Sequence, residues 1–275
     1  MKKIAVLFFV LFSNASAWAA APAGSPGVSN APIIFAHGLG ITAEPYEALI
    51  PMKSAFKELG YDVFIAHTPF AGSIEERASI LRREILRLVP EGKFHLLGHS
   101  MGGLDIRLVV HRYPQIASRC LSVTTLATPH HGSPIADFIV EHVGSAEPMV
   151  NSLLNFMGGD LITVKELTTK SVSENFNRRV VDRPEIRYYS MGFYVPAPVV
   201  TNLWIPWLWV THQMIGAAGF PDNDGMVSVE SARWGESLGA IPGDHYSETA
   251  EIPLGDHMIY RKVYETITQN LDRNF

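Results

Sequence analysis

The sequence has very little cysteine: Cys120 is the only one among its 275 residues. A single thiol cannot form an internal disulfide, which excludes the class of small domains that covalent cross-links hold together. Folding stability must therefore come from packing. Cys120 lies between Arg119 and Leu121 at the start of a β-rich run, and we expect it to be a buried structural residue rather than a nucleophile.

The sequence also lacks an excess of positive charge. It has 22 Lys and Arg residues against 27 Asp and Glu residues, and its formal net charge is −5. Proteins that bind nucleic acids carry clustered Lys and Arg residues that neutralise phosphates, and no such block occurs here. We therefore expect no nucleic-acid partner.

Long hydrophobic runs are missing as well. The first residues contain two lysines, a short apolar run and the small-residue pattern Ala17-Trp18-Ala19. The apolar run is too short for a membrane-spanning helix, and the order of the three features is typical of a secretory signal peptide. We expect residues 1–20 to be removed, residues 21–30 to form a tail, and residues 31–275 to form one domain. The protein would then be secreted or periplasmic, without a transmembrane anchor.

A strand pattern, a glycine-rich turn and a helix pattern follow one another between residues 93 and 113. The β-type run Phe94–Leu97 leads into Gly98-His99-Ser100-Met101-Gly102, and an amphipathic run continues until Pro114. This context of a G-x-S-x-G motif predicts a strained turn that exposes a nucleophilic serine and tolerates only small residues two positions away. Ser100 is therefore the candidate nucleophile. The backbone N–H of Met101, at the start of the helix, is a candidate oxyanion donor.

A second candidate oxyanion donor follows the first predicted strand. Residues 32–36 form a continuous apolar run, typical of a strand buried on both faces, which ends in His37-Gly38-Leu39-Gly40. A loop in that place presents backbone N–H groups beside a strand end, and we assign the N–H of Leu39 to the oxyanion hole. An ordinary strand-to-helix turn is the alternative interpretation.

Strand and helix patterns alternate up to residue 127. Helices are predicted at about 45–59 and 73–89, and strands at 61–66, 121–127 and, further on, 186–191. This alternation predicts an α/β fold with a mostly parallel central sheet and helices on both faces. Functional sites in such sheets gather at the carboxyl ends of the strands, where Leu39 and Ser100 both fall.

The alternation breaks in the region 137–220, which we predict to be a lid or cap. Its apolar part carries Trp204, Trp207 and Trp209, but polar residues and a proline interrupt it, so it does not resemble a membrane span. We expect these tryptophans to line the substrate pocket or the lid that covers it. Plain core packing is the alternative.

A nucleophilic serine needs a histidine base and an acid that orients the histidine. The polar loop 221–225 supplies Asp224, which a turn glycine follows, with Asp222 as the alternative acid. Two histidines, His245 and His257, each follow an aspartate near the end of the chain. Local chemistry slightly favours His257, because it immediately precedes the closing amphipathic helix. His99 is expected to face away from the serine hydroxyl and to have a supporting role.

Several motifs together resemble the α/β-hydrolase triacylglycerol lipases of bacteria and fungi. They are Gly98–Gly103, Ala127–Ser133, Leu167–Thr169, Tyr188–Ser190 and Asn223–Ala232. The resemblance covers nearly all of the chain after the signal peptide, and it implies an α/β-hydrolase fold. It also implies Ser100 as nucleophile, Asp224 as acid and the amides of Leu39 and Met101 as the oxyanion hole.

The resemblance bears on the base and on metal binding too. In these relatives the catalytic histidine comes after a Trp-Gly-Glu region and a Leu-Gly pair. In this chain the same order, Trp234–Glu236 and then Leu238-Gly239, leads to His245, so the resemblance favours His245 over His257. Many bacterial relatives bind a structural calcium ion through an aspartate two residues later, where this chain has Ser247. We therefore expect no metal and no cofactor.

The function that the resemblance implies is hydrolysis of a lipid or another ester, and a lipid substrate would be met at a lipid–water interface. A phospholipase, a polyester depolymerase or an acyltransferase would use the same fold and nucleophile. A non-catalytic lipid-binding protein is a further alternative, although the sequence keeps Ser, Asp and His in the order that this fold requires.

Overall fold

The fold is that of a computed structural model, which describes residues 31–39, 50–145, 148–157, 159–196, 206–246 and 257–275. The predicted signal peptide and tail lie outside the described residues. Within these described residues the sheet has six strands in the order β2-β1-β3-β4-β5-β6, and every neighbouring pair is parallel. The strands are β1 Ile33–Ala36, β2 Val63–Ala66, β3 Phe94–His99, β4 Cys120–Leu126, β5 Arg187–Tyr194 and β6 Glu236–Pro242. The predicted α/β fold with a parallel sheet is confirmed.

Helices connect the strands. They are α1 Ile50–Glu58, α2 Ile74–Leu88, α3 Met101–Arg112, α4 Pro114–Ala117, α5 Pro134–His142, α6 Pro148–Phe156, α7 Leu161–Glu166, a π-helical turn Ser171–Phe176, α8 Asn177–Arg179, α9 Pro206–Ala217 and α10 His257–Asn274. The hydroxyl of Ser73 accepts a hydrogen bond from the backbone N–H of Glu76 at 3.2 Å, which caps α2 as its sequence predicts. Within the described ranges, none of the helices has both the length and the apolar character needed to cross a bilayer.

Two apolar layers cover the two faces of the sheet. Side chains alternate along β3, so Leu96 packs with α2 and α3 on one face while Leu97 packs with α1 and α10 on the other. The strands are buried on both faces, which explains why the runs around β1 and β3 are almost continuously apolar. Cys120, at the start of β4, is buried as expected.

The strand order reverses beside β1, and this reversal creates the site. The chain moves from β1 outward to β2 and then returns to β3 on the other side of β1. Ala36 pairs with Gly98 at the carboxyl ends of these strands, so the loops that carry Leu39 and Ser100 leave the sheet next to each other. Such a switch point opens a crevice for a ligand.

Strand β6 was not predicted, and β5 is longer than predicted. Most side chains of β6 are exposed or half-buried, and Ile241 is its one buried residue. An edge strand of this kind lacks the apolar alternation on which a sequence-based prediction depends. The region 137–220 contains several short helices together with β5, and its role as a lid or cap stays a prediction.

We expect replacement of Phe35 by Ala to lower the free energy of unfolding by about 3–5 kcal/mol, since its ring is fully buried in β1. Phe64 on neighbouring β2 is 36% exposed, and Phe64→Ala should cost less than about 1 kcal/mol. Urea-induced unfolding, monitored by circular dichroism, measures the free energy of unfolding of the two variants and of the wild type. Equal losses in the two variants would contradict the assigned layers.

Candidate active site

Ser100 occupies the sharp turn between β3 and α3. Its backbone dihedral angles are φ 53° and ψ −130°, a conformation that residues other than glycine rarely adopt. A Cβ atom on Gly98 would lie 2.6 Å from the Cα atom of Gly103, and one on Gly102 would lie 2.6 Å from the carbonyl oxygen of His37. The two flanking glycines are therefore required because β1, β3 and α3 meet at this point.

Ser100, His245 and Asp224 form a continuous hydrogen-bonded chain. The Nε2 atom of His245 lies 3.0 Å from the Oγ atom of Ser100, and its Nδ1 atom lies 2.8 Å from Oδ2 of Asp224. The other carboxylate oxygen of Asp224 accepts the backbone N–H groups of Met226 and Val227 at 2.8 Å and 2.7 Å. A carboxylate held in this way makes Nδ1 the donor, which leaves Nε2 free to accept the proton of Ser100.

The structure describes one of the two alternative residues in full. Asp222 is exposed, and its carbonyl oxygen accepts the backbone N–H of Val229. His257 is the first residue of α10, and its side chain lies outside the described part of the chain. The geometry thus places His245, the histidine that the family resemblance favours, between Ser100 and Asp224.

The two candidate oxyanion peptides have their carbonyl groups held by buried donors. His37 donates from Nδ1 to the carbonyl oxygen of Gly38 at 2.9 Å, and Thr128 donates from Oγ1 to the carbonyl oxygen of Ser100 at 2.8 Å. Because C=O and N–H point in opposite directions in a trans peptide, the N–H groups of Leu39 and Met101 point away from these donors. Each is thereby fixed in direction.

The side chain of His37 is neutral in this arrangement. Burial lowers its pKa to about 4, because a charged imidazole loses its hydration in the protein interior. Nδ1 carries the proton that goes to Gly38, and Nε2 lies 3.1 Å from the hydroxyl of Thr68, which donates to it. His37 is therefore a structural support of the loop and not a second base.

A small apolar cavity of about 30 Å³ lies against Ser100 and His245. The other residues that line it are Leu39, Pro129, Ser133, Met157, Leu167, Met226, Val227 and Tyr246. Met157 and Leu167 come from the region predicted to be a lid or cap. The cavity can receive an apolar group next to the serine hydroxyl.

Two of the predicted pocket tryptophans, Trp207 and Trp209, are not among the described residues that line this cavity. Trp207 is partly buried and packs against the core, and Trp209 is 38% exposed with its indole stacked on His212. Trp204 lies outside the described residues. The role of the three tryptophans in substrate binding stays a prediction. The described apolar lining of the cavity consists mostly of Leu, Met and Val side chains, with Pro129 and Tyr246.

A family model for the alpha/beta hydrolase fold matches residues 31–203, which is more than half of the chain. The chain belongs to the α/β-hydrolase family. Its relatives include Triacylglycerol lipase 2 of Saccharomyces cerevisiae, 31% identical over 71% of this chain and 59% of the yeast protein. A triacylglycerol lipase of Vibrio cholerae is 27% identical over 86% of both chains.

The solved structures agree with the family assignment. The mature form of the Bacillus licheniformis lipase BlEst2 has a TM-score of 0.68 to this α/β-hydrolase, with 21% identity, and covers 92% of this chain and 96% of its own. At this identity the likeness concerns the fold. The chain spans about half the length of several curated relatives that it matches, between 42% and 59%.

A buried ion pair supports the loop 37–39 after β1 of this α/β-hydrolase, which is the candidate oxyanion loop because it carries Leu39. Nε of Arg77, on α2, lies 2.8 Å from Oδ2 of Asp105, on α3, and both side chains are fully buried. Nη2 of Arg77 donates to the carbonyl oxygen of His37 at 2.9 Å, and Nη1 donates to the carbonyl oxygen of Pro69. Arg77 therefore joins the loop after β1 to the helix that follows Ser100.

Sequence reasoning missed this pair, although a signal was present. Arg77 lies three residues after Ile74 and four before Leu81, on the apolar face of α2. A charged residue on such a face needs a buried partner. Burial raises the pKa of Asp105 to about 6, although the guanidinium of Arg77 opposes this rise.

No metal centre is evident in the part of the chain that the structure describes, because it contains no group of three or more His, Cys, Asp or Glu side chains that could hold an ion. Ser247, at the position where relatives carry a calcium ligand, lies outside that part. A serine hydroxyl is a weaker calcium ligand than a carboxylate, so the residue present does not fit the calcium site of the relatives.

Replacement of Arg77 by Leu should lower the free energy of unfolding by about 3–5 kcal/mol, because Asp105 would keep a buried charge without a partner. The double variant Arg77→Leu/Asp105→Leu should recover part of this loss. Arg112, which pairs with Glu75 near the surface, is the control, and Arg112→Leu should cost less than about 1 kcal/mol. Denaturant unfolding of the four proteins measures the values. A double variant no more stable than Arg77→Leu would contradict the assignment.

Proposed function

We propose that this protein is an exported serine carboxylic-ester hydrolase of the triacylglycerol lipase and esterase type. The observation that carries the proposal is the 3.0 Å separation between Oγ of Ser100 and Nε2 of His245, with Asp224 2.8 Å from the other ring nitrogen. The printed names of the relatives from yeast and Vibrio cholerae, both triacylglycerol lipases, support the same substrate class.

The first half of the reaction is acylation of Ser100. The hydroxyl attacks the ester carbonyl carbon, and His245 removes its proton through Nε2. Asp224 stabilises the imidazolium that forms, since its carboxylate faces Nδ1. The tetrahedral intermediate then collapses, the alcohol leaves with the proton from His245, and the acyl group remains on Oγ.

The oxyanion of the tetrahedral intermediate binds to the N–H groups of Leu39 and Met101. Each such donor contributes about 3 kcal/mol to stabilisation of the transition state, because its direction is fixed before the charge develops. Water next replaces the alcohol and attacks the acyl carbon while His245 takes its proton. The bond to Oγ of Ser100 then breaks, His245 returns the proton to Oγ, and the carboxylic acid leaves. No metal or cofactor enters either half of the reaction.

The cavity beside Ser100 supports an apolar acyl or alcohol group in the substrate. Seven of the ten described residues that line it are Leu, Pro, Met, Val or Tyr. A lipid ester, which the enzyme would meet at a lipid–water interface, matches this lining. The proposed export rests on the pattern of residues 1–20 and implies a secreted or periplasmic enzyme.

Replacement of Ser100 by Ala should lower kcat for p-nitrophenyl esters by about 10⁴-fold or more, because the acyl-enzyme cannot form. Short-chain and long-chain esters are both assayed, together with triacylglycerol emulsions. Thermal unfolding checks that the variant is folded. Hydrolysis by folded Ser100→Ala at the wild-type rate would refute the proposed function.

The two candidate histidines are distinguished by a matched pair of variants. His245→Ala should lower kcat by about 10⁴-fold, since the proton of Ser100 then has no acceptor. His257→Ala should retain wild-type kcat. The reverse result, with His257 essential and His245 dispensable in the same ester assay, would exclude the proposed triad.

A further inference from the structure

His99, the residue directly before the proposed nucleophile Ser100, contacts the proposed base His245. It lies on the same face of β3 as His95 and Leu97, the face that α1 and α10 cover. Its imidazole is buried, and Nε2 lies 3.0 Å from the backbone carbonyl oxygen of His245. A carbonyl oxygen can only accept, so Nε2 of His99 carries the proton and donates it.

This hydrogen bond completes a pair that holds the backbone of His245 on both sides. The backbone N–H of His245 donates to the carbonyl oxygen of Asp224 at 3.0 Å, and its carbonyl oxygen accepts from His99. His245 follows β6 and lies outside regular secondary structure. The position of His245 is therefore fixed by hydrogen bonds to the loop 221–225, which carries Asp224, and to strand β3.

The ring of His99 also lies against the ring of His245. The two ring centroids are 4.9 Å apart with an interplanar angle of 41°. Burial, and next the neighbouring His245, lower the pKa of His99 well below its ordinary value. A neutral ring in this place limits the movement of His245 without opposing the positive charge that His245 takes up during the reaction.

We propose that His99 is a positioning residue for the base: its Nε2–H holds the backbone of His245 so that the imidazole stays within reach of Ser100. The proposal rests on the proposed function of the triad. Misplacement of a reacting group by about 1 Å can cost on the order of 10²-fold in rate. The effect should fall on kcat rather than on KM, because His99 is not among the residues that line the cavity.

The test compares variants at position 99 with a control on the same strand. His99→Leu removes the donor, whereas His99→Gln keeps a donor of similar reach. We expect His99→Leu to lower kcat by about 10–100-fold with KM changed less than about 2-fold. His99→Gln should restore most of kcat.

The control variant is His95→Leu, which removes a buried imidazole from β3 that bonds Ser122 at 2.7 Å, far from the triad. It should lower stability with kcat unchanged. If His99→Leu does not fold, His99→Asn takes its place, since Asn keeps a donor on a shorter side chain that cannot reach the carbonyl oxygen of His245.

Two further readouts do not depend on the natural substrate. One is the rate at which a fluorophosphonate probe labels Ser100, and the other is the far-downfield proton NMR signal of the hydrogen bond between His245 and Asp224. The labelling rate should fall and the NMR signal should weaken in His99→Leu. Both should remain close to the wild-type values in His99→Gln and His95→Leu. A wild-type protein that reacts with the probe but hydrolyses no ester would refute the proposed function and leave this test valid.

Three results would overturn the inference. One is wild-type kcat and wild-type labelling in a folded variant without the donor. Another is an equal loss of kcat in His95→Leu, which would indicate a general effect of removing a buried histidine. The third is failure of His99→Gln to recover activity while its thermal stability equals that of the wild type.

Discussion

The strained backbone of Ser100 is the constraint on which the rest of the site depends. A residue with a side chain at φ 53° costs of order 1–3 kcal/mol, and it persists only where the surrounding structure overdetermines it. Here the ends of β1 and β3 and the start of α3 meet at distances that only glycine allows at positions 98 and 102. This packing aims the hydroxyl at His245.

Hydrogen bonds from buried polar groups then fix other parts of the site. Asp224 accepts hydrogen bonds from two backbone N–H groups as well as from His245. His37 forms hydrogen bonds with both Gly38 and Thr68. Arg77 connects the candidate oxyanion loop to Asp105. Hydrogen bonds are strong in a medium of low dielectric constant, where unpaired polar groups are costly. The geometry of the site is therefore held by contacts within the protein, as the proposed stabilisation of an oxyanion requires.

The sheet and most of its connections could be predicted from local patterns. Strands buried on both faces appear as apolar runs, and α2 carries its own capping serine, so β1, β3, β4 and α2 are confirmed within a few residues. Strand β6 could not be predicted in this way, because its pairing with β5 comes from its place at the sheet edge while its side chains remain mostly exposed. Arg77 was missed because its partner lies on another helix.

The sequence by itself determined the turn at Ser100, since the strain of that turn demands small residues at fixed offsets from the serine within one short segment. It did not determine the base from local chemistry, because His245 and His257 both follow an aspartate. Only the tertiary structure brought one of these rings to Ser100, across a separation of 145 residues. The physical reason is that β6 pairs with β5, and His245 follows β6 close to the loop 221–225. There the backbone of His245 forms hydrogen bonds with Asp224 and His99.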